Sequence, residues 1–172
     1  LFIMNTLSHE SKILLDLLAN SLFDAGIDID LQGVDMEMLF SESMSQTVLA
    51  LAFDALPQDA IKLNAEIYDK WQNYSLYTIQ KNVSQMASNA ALEKIFETAA
   101  LPVCTIKGFA SGYYYGNKKH LRQMGDIDFI VPAKTLNASK ELLCENGYIP
   151  TENKKFKKRE LFIILITIQQ DI

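Results

Sequence analysis

The residues best placed to do chemistry are Asp126-Ile127-Asp128, which run directly into Phe129-Ile130-Val131. The branched and aromatic content predicts a strand over 126–131. Side chains alternate along a strand, so Asp126 and Asp128 share one face while Ile127, Phe129 and Val131 take the other. Two neighbouring carboxylates repel, and burying either one unpaired is costly. A divalent cation resolves both problems. Mg²⁺, or Mn²⁺ in its place, takes oxygen ligands from one or two carboxylates, phosphate groups and water. A pair of such ions can hold the attacking and leaving oxygens of a nucleotidyl transfer.

Asp-x-Asp alone is a weak signal, and the chain carries a second copy, Asp28-Ile29-Asp30. That copy is followed by Leu31-Gln32-Gly33, with no apolar strand behind it, and is expected to be a solvated loop or helix cap. The later copy has an upstream companion, Ile106-Lys107-Gly108-Phe109-Ala110-Ser111-Gly112. A short strand there enters a glycine turn and then a helix, whose first amide groups can hold a phosphate. Lys107 adds positive charge. Taken alone, Lys107-Gly108 is an ordinary strand-to-helix turn.

Taken together, these pieces resemble a known family. Lys107-Gly108, the helix ending Tyr113-Tyr114-Tyr115, the block Arg122-Gln123-Met124-Gly125-Asp126-Ile127-Asp128-Phe129-Ile130-Val131 and the later Asn146-Gly147-Tyr148 look like the uncharacterised nucleotidyltransferase group of the DNA polymerase β-like superfamily. The resemblance is specific over residues 91–150 and looser over the helices before them. It implies a metal-dependent transfer of NMP from an NTP to an acceptor, whether protein, RNA or small molecule. Asp126 and Asp128 are then the catalytic, metal-binding carboxylates, with Mg²⁺ or Mn²⁺ as cofactor. Lys107, Gly108 and Ser111 line the triphosphate. Arg122 lies near the carboxylates or serves as an ion-pair partner of Asp126. Lys107 departs from the wider superfamily, where Gly-Gly or Gly-Ser forms the turn, but agrees with this group.

The superfamily also uses a third carboxylate on a later strand. Glu152, Glu160 and Asp171 follow the motif, and none sits inside an apolar strand. His120 is expected to be exposed rather than catalytic. The chain therefore reads as C-terminally truncated. The alternative function is an inactive relative acting as a binding or scaffold module. A nucleotide-sugar glycosyltransferase would need alternating strands and helices ahead of the motif. A haloacid-dehalogenase-type phosphatase would need a strand leading into the first Asp, so both readings are weaker.

The elements that position these residues fall into two stretches. Ser8 caps a helix through Phe23 with Ile13, Leu14, Leu17, Leu18 and Leu22 on one stripe. The stretch 25–33 is a loop, and a second helix spans 36–56. After Pro57, apolar residues at Ile61, Ala65, Tyr68, Trp71, Ile79, Val83, Met86 and Ala90 mark a long helix, broken once near 73–75, that continues through Phe96. Residues 103–106 form a strand, 109–115 a helix and 118–125 a polar loop. A helix spans 134–146 with Leu136, Leu142 and Leu143 inward and Gly147 as its stop. Tyr148-Ile149 and 161–168 are further candidate strands. The fold class is α+β: a helical lead-in over 1–100, then a partial polymerase-β-like mixed sheet with flanking helices over 101–172.

Composition sets outer limits. The 172 residues are 49% hydrophobic and 22% charged, enough to bury a core. A net charge of -5 argues against a protein that coats nucleic acid. The basic cluster Lys154, Lys155, Lys157, Lys158 and Arg159 reads as a solvated turn first and a phosphate or RNA contact second. Cys104 and Cys144 are expected as buried free thiols of a cytoplasmic protein. Leu1-Phe2-Ile3-Met4 is too short for a leader or anchor and reads as residues ahead of a start at Met4, and the run at 161–168 is too short to span a membrane. Oligomeric state is left open.

Overall fold

The computed structural model describes residues 7–148 and the strand Leu161–Ile166. Its contacts divide into two compact units, one formed by residues 7–82 with Tyr115–Gln123, the other by 83–114, 124–148 and the strand at 161–166. The division falls inside the longest helix, and Tyr115–Gln123 groups with the first unit.

In the first unit, α1 (His9–Phe23) is capped by Ser8, whose hydroxyl accepts from the Ser11 amide. Its Ile13, Leu14 and Leu17 are buried, as the stripe requires. They pack with Leu39 and Phe40 of α2 (Met36–Ser45), with Leu49 and Ala52 of α3 (Leu49–Asp54), and with Ile67 and Trp71 of α4 (Ala65–Thr98). The single helix expected over 36–56 is two helices. Thr47 lies between them at φ 58°, a left-handed conformation that ends α2 and lets the chain turn into α3.

Pro57 caps a 3-10 turn, Gln58–Lys62, and α4 begins only at Ala65. Ile61 therefore leaves the helical stripe and is exposed. The break expected near 73–75 does not occur. Trp71 is fully buried, donates its indole N–H to the Leu49 carbonyl at 2.9 Å and meets Phe40 edge-on. Further along α4 the inward face turns polar: Val83 is exposed while Asn82 is fully buried.

In the second unit, β1 (Cys104–Ile106), β2 (Ile127–Pro132) and β3 (Leu161–Ile166) form a sheet in the order β1-β2-β3. Both pairings are antiparallel, so the mixed character expected of the sheet does not arise within the described strands. Ile127, Phe129 and Val131 are buried with Leu92 and Phe96 of α4 and Leu143 of α6 (Leu136–Glu145). Each such side chain contributes about 1.5–3 kcal/mol by leaving water. Phe96 and Phe129 meet edge-on at 5.7 Å. Gly147 ends α6 at φ 85°, the left-handed position glycine fills at a helix terminus.

Several local expectations change. Cys104 on β1 and Cys144 on α6, next to the buried Leu143, are both exposed. The helix expected over 109–115 is a five-residue α5 (Lys107–Ser111) followed by 3-10 turns through Leu121. Gly116, at φ 52° and ψ -125°, kinks those turns in a conformation that a side chain would strain. The polar loop is correspondingly shorter than 118–125. Tyr148 is not in a strand. Ile149, the basic cluster at 154–159, Glu152, Glu160 and Asp171 lie outside the described residues, as do 167–168 of the expected strand.

Candidate active site around Asp128

The geometry starts from β2. Its odd-numbered residues fill the core, so Asp128 is on the opposite face, as the alternation predicts. Asp128 is nevertheless only 7% exposed. Its Oδ2 lies 3.1 Å from Lys107 Nζ, and its Oδ1 is buried with no hydrogen-bond partner among the described residues. A buried carboxylate oxygen without a donor is costly to maintain and marks a place suited to a cation.

Register explains how Lys107 reaches it. Ile106, the last residue of β1, pairs with Asp128 across the sheet. The next residue, Lys107, turns the chain from β1 into α5 at φ 53°. Gly108 is not among the residues with positive φ, so the strained position of the turn is occupied by lysine and not by glycine. A non-glycine residue in the left-handed region costs about 1–2 kcal/mol. Such strain persists where surrounding structure holds it, often at functional sites. Phe109 anchors α5 against the core, and Ser111 donates its hydroxyl to the Gly108 carbonyl at 3.0 Å. That hydroxyl retains acceptor capacity for a further donor.

Asp126 is exposed and stands one residue ahead of β2, so the strand begins later than expected. The residue before it is fixed from α4: Gln85 Nε2 donates to the Gly125 carbonyl at 2.7 Å. Thr105 on β1 is tied to α4 as well, donating to Glu93 Oε1 at 2.7 Å. Hydrophobic periodicity missed these contacts. A signal was present in the amides Asn82, Gln85 and Asn89, which recur three and four residues apart on one helical face.

Arg122 belongs to the first unit. Its guanidinium lies 5.7 Å from the Tyr115 ring centre, a cation–π contact, and the Asn82 side chain donates to its backbone carbonyl at 2.7 Å. The same Asn82 amide donates to the carbonyl of His120, a half-buried residue. Asp28-Ile29-Asp30 is a loop, and Asp30 accepts from the Gln32 amide, an ordinary turn contact. Among the described residues no group of three or more His, Cys, Asp and Glu gathers as a metal site. Across from Asp128 on β3 stands Leu165.

The sequence pattern described as uncharacterised nucleotidyltransferase matches residues 32–164, well over half of the chain. The chain belongs to that family. Its α+β architecture is of the nucleotidyltransferase kind, and the match takes in α2 to α6, β1, β2 and most of β3. Neither curated proteins nor solved structures give a match. A nucleotidyltransferase handles nucleotide substrates, and the general activity follows from family membership. Among the described residues no helix is long and apolar enough to cross a membrane.

The donors fit the cation such a nucleotidyltransferase would use. They are carboxylate oxygens, suited to Mg²⁺ or Mn²⁺, and one of them, Asp128 Oδ1, is buried and lacks a donor.

Proposed function

We propose that the protein transfers a nucleoside monophosphate from an NTP to an acceptor, using Asp126 and Asp128 to hold Mg²⁺ or Mn²⁺. The observation that carries this reading is Asp128: a carboxylate 7% exposed, on a strand that begins one residue after Asp126, with one oxygen free of any donor among the described residues. Asp126 and Asp128 would hold the divalent cation, which would supply charge neutralisation at the triphosphate.

The chain's own residues do the rest by positioning. Asp128 is fixed by β2 pairing on both sides, and Asp126 follows the Gly125 carbonyl that Gln85 holds. Lys107, Gly108 and Ser111 form the turn against which the phosphates rest. An acceptor hydroxyl oxygen forms a bond to the α-phosphorus while the α–β phosphoanhydride bond breaks. Pyrophosphate leaves, and the hydroxyl proton passes to solvent. Most of the acceleration comes from orientation and charge neutralisation, with no covalent enzyme intermediate.

The acceptor is a protein, an RNA or a small molecule, and the reaction belongs in the cytoplasm. A second reading, a nucleotidyltransferase-fold protein that binds without catalysing, is favoured by one observation. The β3 position that pairs with Asp128 carries Leu165, an apolar residue, and among the described residues no third carboxylate gathers with Asp126 and Asp128.

Incubation with ATP, CTP, GTP and UTP labelled at the α-phosphate, in a cell extract with Mg²⁺ or Mn²⁺, separates the two. Transfer of label to an acceptor that requires the metal and is lost in the D126N/D128N variant supports catalysis. Metal-dependent nucleotide binding without any transfer supports the second reading.

A further inference from the structure

The pair formed by Lys107 and Asp128 combines three observations that the proposed chemistry does not by itself require. Lys107 occupies a left-handed backbone position that glycine fills without strain. Its ammonium nevertheless reaches Asp128 Oδ2 at 3.1 Å, while its own side chain remains 54% exposed. Asp128 Oδ1 has no donor among the described residues, so the lysine satisfies only half of the carboxylate. A buried bidentate partner such as arginine would lock the group. A half-exposed lysine, with a flexible stem and three rotatable donors, holds it reversibly.

We propose that Lys107 is a positioning residue that acts as the interim cation of Asp128. It pairs with the carboxylate in the empty protein, yields it to the divalent cation, and turns its ammonium to the triphosphate that arrives with the metal. The inference rests on the reading of Asp128 as a metal ligand. It adds that metal alone and metal-nucleotide are recognised differently. Free cation competes with Lys107 for Asp128, whereas metal-bound triphosphate supplies Lys107 with a new anion. The strained turn keeps the ammonium within reach of both, because the β1–β2 register fixes Ile106 opposite Asp128. The site thereby favours the metal–nucleotide complex over the bare ion.

The test is calorimetric titration of the full chain with Mn²⁺ alone, then with Mn²⁺ and an ATP analogue that resists cleavage between the α- and β-phosphates. Lys107→Met removes the charge at similar length, Lys107→Gly also relieves the backbone, and Lys107→Arg keeps the charge. Loss of a half-exposed ion pair predicts that the Met and Gly variants bind Mn²⁺ alone about three- to fivefold tighter than wild type. The same variants bind the Mn²⁺–analogue complex about tenfold more weakly, and the Arg variant, which keeps the charge, binds Mn²⁺ alone no more tightly than wild type. Unchanged or weaker Mn²⁺ binding in both Met and Gly variants overturns the competition. Unchanged analogue binding overturns the transfer of the ammonium to phosphate. The underlying reading fails separately, when wild type shows no Mn²⁺ binding that Asp128→Asn removes.

Discussion

Gln85 donates its side-chain amide to the carbonyl of Gly125 at 2.7 Å, so a residue of the long helix α4 holds the peptide directly ahead of Asp126. The other end of the same amide, Gln85 Oε1, is buried without a partner among the described residues. The contact is therefore kept although only half of the side chain is satisfied.

Gln85→Ala removes the donor and leaves the Gly125 carbonyl without it. A hydrogen bond of this kind contributes about 0.5–1.5 kcal/mol, so stability falls by about that amount. The effect on Mn²⁺ affinity is expected to be a further few-fold weakening, because Asp126 loses its tether. Urea unfolding and Mn²⁺ titration of the same variant check both parts. Weakened metal binding with a stability loss no larger than this points to a local role, whereas unchanged metal binding removes Gln85 from the site.

Trp71 is the only tryptophan and is fully buried in the helical unit. Its fluorescence consequently reports that unit's unfolding. Substitution of a neighbour rather than Trp71 itself keeps the probe. Leu39→Ala, at a fully buried position in the same cluster, is expected to cost about 2–5 kcal/mol and to shift the fluorescence midpoint accordingly. A loss below about 1 kcal/mol would contradict the packing of α2 on this core.

Much of this fold was legible in the sequence, for physical reasons that can be named. The α1 stripe works because Ile13, Leu14 and Leu17 face one apolar core. Alternation along 127–131 works because one face of β2 is buried, which also put Asp128 on the opposite face. Apolar periodicity failed in the middle of α4, where Asn82 and Gln85 face loop carbonyls and Val83 faces water. It also missed Thr47 and Lys107, because left-handed conformations at residues other than glycine depend on tertiary contacts. The Lys107–Asp128 pair depends on β1–β2 register, which no local pattern encodes.

Glu10 gives the pH dependence a definite sign. A hydrogen bond from its own backbone amide, near the start of α1, lowers its carboxyl below the ordinary value; burial opposes this, and the Asp35 amide at 3.4 Å assists it. A carboxyl lowered in the folded state stabilises above its unfolded value, about 4.3, and that contribution is lost as pH falls through the lowered folded value. Glu10→Gln is therefore expected to be less stable than wild type at about pH 7, with the gap closing at about pH 3. Urea midpoints at the two pH values measure it, and a gap that stays constant or widens on acidification contradicts the assignment.

Lys107→Gly also carries a stability prediction. Relief of the left-handed lysine is worth about 1 kcal/mol, but the substitution also leaves the buried Asp128 carboxylate without its cation, which costs more. Thermal unfolding should show the variant less stable than wild type near neutral pH. A variant at least as stable as wild type would contradict the pairing of Lys107 with Asp128.

We propose that Asp126 and Asp128 jointly bind a divalent cation that accompanies the nucleotide. Electron paramagnetic resonance of Mn²⁺, titrated with protein and a non-cleavable ATP analogue, measures it directly. Wild type is expected to remove free Mn²⁺ from solution in a nucleotide-dependent way, and Asp126→Asn and Asp128→Asn each to weaken this by about tenfold or more. Equal Mn²⁺ uptake by wild type and both variants, at matched folding, would contradict the account.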